Sequence, residues 1–310
     1  MTSQADQPIL HHFDTSPFSE KVRLLFGLKG LTWTSVEIPS LLPKPDYLPL
    51  TGGYRRTPSL QIGADVYCDS QVIIAEIERR WPEPEAVRGG LDWAINLWAD
   101  RLFFGATVPI IFGVIGDNVP EAFIKDREAM SGRPFDVKAM KAAGEPLKGQ
   151  WRTHAGWIED QLAASGTGWL NGKEPGLADI AAWMNVWFLG GALPGVVETL
   201  TQGFTHFGDW SKRVRAIGHG TREIMSGPDA LALAKASQPA TPPAHDANDP
   251  LGLAPGAKVV VMADDYGRDP VSGLLVAANR ERIVLSREDA AVGTVNVHFP
   301  RAGFIAVPGQ

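Results

Sequence analysis

The segment Thr15-Ser16-Pro17-Phe18-Ser19-Glu20-Lys21-Val22-Arg23 places a serine at the opening of a helix, and the rest of the chain can be laid out from it. Ser16 is a good N-cap, and Pro17 suits the first helical position, where no backbone donor is missed. Behind them Val22, Leu24, Leu25, Phe26 and Leu28 supply an apolar face, with Gly30 as a stop. The Ser16 hydroxyl therefore lies at the positive end of a helix, beside free backbone N–H groups, where an anion is favoured. A small thiol brought there ionises more easily, because the hydroxyl can donate to the thiolate while the helix end favours the charge. A Ser-Pro pair before a helix is by itself more often a structural cap, so the neighbouring segments decide the matter.

Upstream, Ile9-Leu10-His11-His12-Phe13 reads as a strand feeding this helix. Neighbours on a strand point to opposite faces, so His11 and His12 do not readily share a metal ion. Downstream, Thr32 to Ile38 alternates with period two and is rich in β-branched residues, a second strand. One helix between two strands suggests a right-handed βαβ unit with parallel pairing. Pro39 to Gly53 reads as loop with a short helix around Pro45 to Leu50. Arg56-Thr57-Pro58-Ser59-Leu60-Gln61-Ile62 opens a third strand, Gly63-Ala64-Asp65 turns it, and Val66-Tyr67-Cys68 returns. A proline at the mouth of a strand marks an edge or a special turn, a cis peptide bond among the options. Asp69 or Ser70 then caps a helix running through Val72 to Trp81, a second helix start where polar oxygens and amides converge.

Pro82-Glu83-Pro84-Glu85 interrupts the pattern as an interdomain connection. From Leu91 the chain turns helical, with a break near Pro109 and a long helical region from Asp136 to Ala164. Seven of the ten tryptophans lie between Trp93 and Trp187, mostly as core. Gly176 caps the apolar run that follows, with Asp179 bonding back to the cap amide. Trp210 to Ala236 supplies at least one more helix. Ser237 to Pro250, rich in proline and small residues, reads as a linker. Beyond it, five short β-like runs suggest a small antiparallel barrel or sandwich packed on the helices.

The 310 residues carry a formal net charge of -6, which argues against a nucleic-acid scaffold or an anionic-membrane binder. The single cysteine, Cys68, forbids an intrachain disulfide or a cysteine metal cluster and fits a reducing cytoplasm; it reads as a small buried residue without a redox role. Met1 to Pro8 is polar without a leader pattern, and no apolar run is expected to reach membrane-spanning length.

The order Ser16-Pro17-Phe18 with Val22-Arg23, then Thr57-Pro58-Ser59-Leu60, then Asp69-Ser70 leading an apolar helix, resembles the thioredoxin-like N-terminal domain of cytosolic glutathione transferases. The match covers about residues 8 to 82, with a looser helical match to about residue 230. The resemblance implies an α/β thioredoxin-like domain over 8–82 and an all-helical domain over 89–236; the linker over 237–250 and the small β domain over 251–310, read from composition and periodicity, are additions that ordinary glutathione transferases lack. By the same resemblance Ser16 is the catalytic hydroxyl on the glutathione sulfur, and cis Pro58 exposes Thr57 to the cysteinyl main chain. Asp69 and Ser70 hold the γ-glutamyl end, and Arg56 lies near the glycyl carboxylate. Asp at position 69 replaces the commoner Glu and shortens the reach. Thr51 to Arg56 is also similar, over a short span, to bacterial aryl-ether-cleaving relatives. The expected activity is attack of a glutathione thiolate, without metal, on a hydrophobic electrophile, as transferase, ether lyase or dehalogenase. The alternative is a non-catalytic glutathione-binding or regulatory member. A serine hydrolase is disfavoured, since no Gly-x-Ser-x-Gly elbow occurs. A cytoplasmic homodimer follows by analogy, and residues 251–310 receive no chemistry.

Overall fold

Residues 7–309 are described by a computed structural model; Met1–Asp6, most of the polar N-terminal stretch, lie outside them. Strand β1 (Ile9–His12) leads through helix α1 (Pro17–Leu28) into β2 (Thr32–Glu37), and the two strands pair in parallel with Ile9 opposite Thr34. After the short α2 (Leu48–Thr51), β3 (Ser59–Ile62) and β4 (Asp65–Cys68) form an antiparallel hairpin, and α3 (Ser70–Arg80) follows. Alternation along β1 separates its histidines as the pattern requires: His11 Nε2 lies 2.8 Å from Gln61 Oε1, and His12 Nε2 lies 2.8 Å from Ser35 Oγ. Burial pushes His11 down to about 4; His12 goes to about 3 by burial first, with Arg23 and Arg222 adding.

The helical region begins with α4 (Gly90–Trp98), which runs through a π turn (Ala99–Phe103) into α5 (Phe104–Ile115). The irregularity lies in the π turn at Ala99–Phe103, about two turns before Pro109. Pro109 sits inside α5 and cannot donate to the carbonyl one turn back, and the adjustment appears where Phe104 N–H donates to Ala99 O. Gly90–Asn118 is thus a 29-residue helical run long and apolar enough to cross a membrane, which corrects the expectation that none would be. It is built as a core helix: Phe103, Ala106, Ile110 and Ile111 are buried, and Asp100 pairs with Lys21 of α1.

Helices α6 (Glu121–Ser131), α7 (Val137–Ser165), α8 (Leu177–Ala192), α9 (Val196–Leu200) and α10 (Phe207–Ala216) complete the bundle. Buried Asp179 of α8 accepts from Gly176 N, as expected, and also from Leu170 N and Trp210 Nε1 at 2.8–3.1 Å.

The region from Trp210 to Ala236, expected to supply at least one helix, holds most of α10 and all of α11 (Gly227–Ala236), with β5 (Thr221–Ile224) between them pairing in parallel with β2. Gly218 and Gly220, with φ of 69° and 68°, make the turn into β5, and a Cβ on Gly220 would run into the Leu31 carbonyl oxygen.

The five C-terminal strands are β6 (Lys258–Ala263), β7 (Val271–Ala278), β8 (Arg282–Asp289), β9 (Gly293–Pro300) and β10 (Phe304–Pro308), antiparallel among themselves. They do not form the separate barrel or sandwich expected on the helices. Strand β9 adds in parallel to the edge of β4, making one ten-stranded sheet in the order β10-β6-β7-β8-β9-β4-β3-β1-β2-β5. The reason is a shared core. Leu50, Tyr54, Val66 and Cys68 of the N-terminal half bury with Val261, Leu285, Val297 and Phe299. Between α11 and β6 the chain has no helix or strand and is tied down by Ala240 N donating to Asp65 Oδ2 at 2.7 Å.

Candidate functional site

Antiparallel pairing sets His11 opposite Ser59, and Ser59 opposite Cys68. The exit of β1, the entry of β3 and the exit of β4 therefore meet at one end of the sheet. Ser16, Thr57-Pro58 and Asp69-Ser70 each lie within a few residues of that end, so the topology brings the predicted site residues together.

Ser16 caps α1 with extended backbone, and its Oγ accepts from Ser19 N at 3.2 Å. That bond uses a lone pair and leaves the hydroxyl proton available to an anion. The turn before it is held by Arg23, whose Nη2 donates to Asp14 O at 2.9 Å, while Arg23 itself pairs with Glu20 at 2.7 Å. Ser16 is only 3 % exposed. The Thr57-Pro58 bond is cis. Asp69 is the sole non-glycine with positive φ among the described residues, at 96°, and its Oδ1 accepts from Gln71 N at 2.9 Å to cap α3. Holding that conformation costs about 1–3 kcal/mol, strain of the kind that gathers at binding sites. Ser70 is buried, and its hydroxyl has no partner among the described residues. Cys68, hydrogen-bonded to Ser59 within the core, has its thiol pushed far up by burial, which suits a packing role.

Arg56 occupies the rim next to Thr57, but its guanidinium is engaged: Nη1 lies 3.1 Å from Asp265 Oδ1, in the loop between β6 and β7. The Asp264 and Asp265 carboxylates also meet Arg101 of the π turn, whose Nη2 lies 2.6 Å from Asp264 and whose Nε lies 3.6 Å from Asp265. Gln71 Nε2 donates to Ala302 O at 3.0 Å in the turn between β9 and β10. Two loops of the C-terminal strands thus touch both flanks of the site.

Sequence reasoning missed several members of this constellation. Lys21 is fully buried, with Nζ 2.7 Å from Asp100 and 2.9 Å from Asn96, and it docks α1 on the helical region. A lysine on the apolar side of α1 was the available signal, since a buried ammonium demands a partner. Lys44 Nζ donates to Arg55 O at 2.9 Å and lies 3.4 Å from Thr57 Oγ1. Burial, with Arg127 and Arg55 adding and Asp126 opposing, brings its amine down to about 8. The wall opposite α1 is mixed rather than apolar throughout: Phe18 meets Phe104 at 4.9 Å beside the Lys21–Asp100 pair.

The family model for the glutathione S-transferase N-terminal domain matches residues 10–85. Over nearly its whole length the chain is similar to a GST-like protein from Pseudomonas syringae known by its crystal structure. The two are 35% identical across 98% of this chain and 100% of the other, with a TM-score of 0.81. The chain belongs to the glutathione S-transferase superfamily. A family model for a domain of unknown function matches residues 107–221 of this GST-like chain. A glutathione S-transferase from Rhodospirillum rubrum F11 shares the fold at 20% identity over 68% of this chain and 88% of its own, TM-score 0.52. FtsZ-localized protein A of Caulobacter vibrioides is 28% identical over 188 residues, 56% of this chain and 73% of its own.

Proposed function

We propose that this GST-like protein binds glutathione in the cleft formed by Ser16, Thr57-Pro58 and Asp69-Ser70, and that it uses the cleft for binding and regulation rather than turnover. One observation carries this reading: the ligand-facing constellation is kept at one end of the sheet while its rim arginine is already ion-paired to Asp265. A transferase needs a mouth open to a second substrate. Here Ser16 is buried, and the loops that carry Asp264, Asp265 and Ala302 contact Arg56, Arg101 and Gln71 at the flanks of the site. The similarity to FtsZ-localized protein A supports a member with a protein partner, and FtsZ is the first to test, by co-sedimentation with and without glutathione. The lone buried thiol, Cys68, suits a reducing cytoplasm.

A second reading, glutathione conjugation to a hydrophobic electrophile, is favoured by the Ser16 hydroxyl, which retains its proton for a thiolate at the start of α1. Calorimetry with glutathione followed by a thiol-consumption assay over a panel of electrophiles separates the two. The expected result is saturable heat without thiol consumption. The bound ligand's ultraviolet thiolate absorbance at neutral pH should disappear in Ser16→Ala, which loses about 1 kcal/mol of cap stability at most. Consumption that Ser16→Ala abolishes would establish the transferase instead. No heat from either protein would end both readings.

A further inference from the structure

The C-terminal strands place two carboxylates where an anionic ligand would be received. Asp265 Oδ1 sits 3.1 Å from Arg56 Nη1, and Asp264 Oδ1 sits 2.6 Å from Arg101 Nη2, with Asp265 Oδ2 reaching back to Arg101 Nε at 3.6 Å. The loop is seated closely as well as charged: a Cβ on Gly267 would lie 2.8 Å from Met130 Cε and 3.3 Å from the Arg56 stem. These pairs join the three parts of the fold, since Arg56 precedes β3, Arg101 belongs to the helical region and the aspartates belong to the β6–β7 loop.

We propose that Asp265 is a competing carboxylate that sets the selectivity of the cleft. While it holds Arg56, a thiol with a free terminal carboxylate must displace it, and a thiol without one need not. Binding of the carboxylate form is then coupled to release of the Asp265 carboxylate, and with it the β6–β7 loop, from Arg56 Nη1, the donor that the ligand's carboxylate would take. This inference rests on the glutathione-binding reading above, with the glycyl carboxylate directed to Arg56.

The test compares two probes, glutathione and glutathione amidated at its glycyl carboxylate, by calorimetry on the full chain and on the Asp264→Asn/Asp265→Asn double variant. Removing the competitor should tighten glutathione about 10-fold, while the amide changes less than about 2-fold. Equal changes for the two probes, or no change in either, would overturn the competition while leaving glutathione binding intact. Failure of glutathione to bind either protein would instead remove the binding reading on which the competition rests. Should the double variant not fold, hydrogen exchange of the wild-type chain decides. Amides of residues 264–269 should exchange faster with saturating glutathione, and unchanged or slower exchange there would reject the proposal.

Discussion

The four-stranded N-terminal sheet has two edges, and the chain covers both with a parallel strand from far downstream, in opposite styles. At β2 the cover is β5, four residues long and exposed throughout, with Ile224 at 80 %. At β4 the cover is β9, eight residues long and mostly buried, backed by the other C-terminal strands. The polar contacts differ in the same sense. Across β4–β9, His298 Nε2 lies 2.8 Å from Asp65 and its ring stacks on Tyr67 at 4.3 Å, while Arg282 reaches buried Glu76 of α3 at 3.0 Å. Across β2–β5, Arg222 meets the exposed Asp14 carboxylate at 3.0 Å. A short exposed strand blunts an edge; a buried one with ionic staples makes two units into one core.

The largest effect is therefore expected at Glu76. Its carboxylate receives Arg79, Arg80 and Arg282 at 2.6, 2.8 and 3.0 Å; burial works to raise its pKa, but these partners outweigh that and hold it at about 2. Glu76→Ala strands the buried Arg282 guanidinium, a loss of about 3–5 kcal/mol. Denaturant unfolding measures it, and a loss under about 1 kcal/mol would show that β9 holds to β4 without this staple.

The two edges also explain what could be read from the sequence and what could not. The elements of the βαβ unit, the β3–β4 hairpin and the Ser16 and Asp69 caps are marked by short-range period, cap and turn signals, while the cis Pro58 rests on the family resemblance. The edge pairings are not so marked. Tyr67 meets His298 and Thr32 meets Thr221 through partners on other elements, and nothing local to either segment marks its mate. Thr221–Ile224 is too short and too exposed to carry an alternating apolar signal. The Asp264-Asp265 pair looks like a solvated turn until the fold places Arg56 and Arg101 beside it. The candidate site was legible where its residues are local, and the loops that flank it were not, because those contacts are made between distant segments.

Acid sharpens the comparison at intermediate size. His11, His12 and His298 are buried and lowered by burial from the ordinary histidine value of 6.5, His11 to about 4 and His12 to about 3. Below pH 6.5 the unfolded chain takes up protons that the folded one refuses, so stability is present above that value and falls as pH drops toward 4. Asp179 acts in the opposite sense. Burial pushes it up to about 6, so between pH 4 and 6 its protonation favours the folded chain. Three histidines against one carboxyl leave a net loss of stability as pH falls from 7 toward 4.5. His298→Asn should shallow that slope if the β4–β9 seam contributes to it, and an identical slope would confine the acid response to β1.

The smallest effect is expected at the other edge, and it is the more demanding test. Arg222 of β5 pairs with Asp14 in the turn after β1, and it also lies over the Trp33 ring at 5.7 Å. Its partner Asp14 is 59 % exposed and already attended by Arg23 at 3.8 Å, so solvent screens the pair and the carboxylate keeps a cation when Arg222 is removed. Arg222→Ala should therefore cost no more than about 1 kcal/mol, most of it from the lost ring contact. Salt gives an independent reading, since a screened surface pair loses its small contribution by 1 M while the Glu76–Arg282 pair, shielded from solvent, holds its own. If Arg222→Ala instead approached the Glu76→Ala loss and resisted salt, β5 would be a structural seam equal to β9, and exposure would be a poor guide to which edge strand carries the fold.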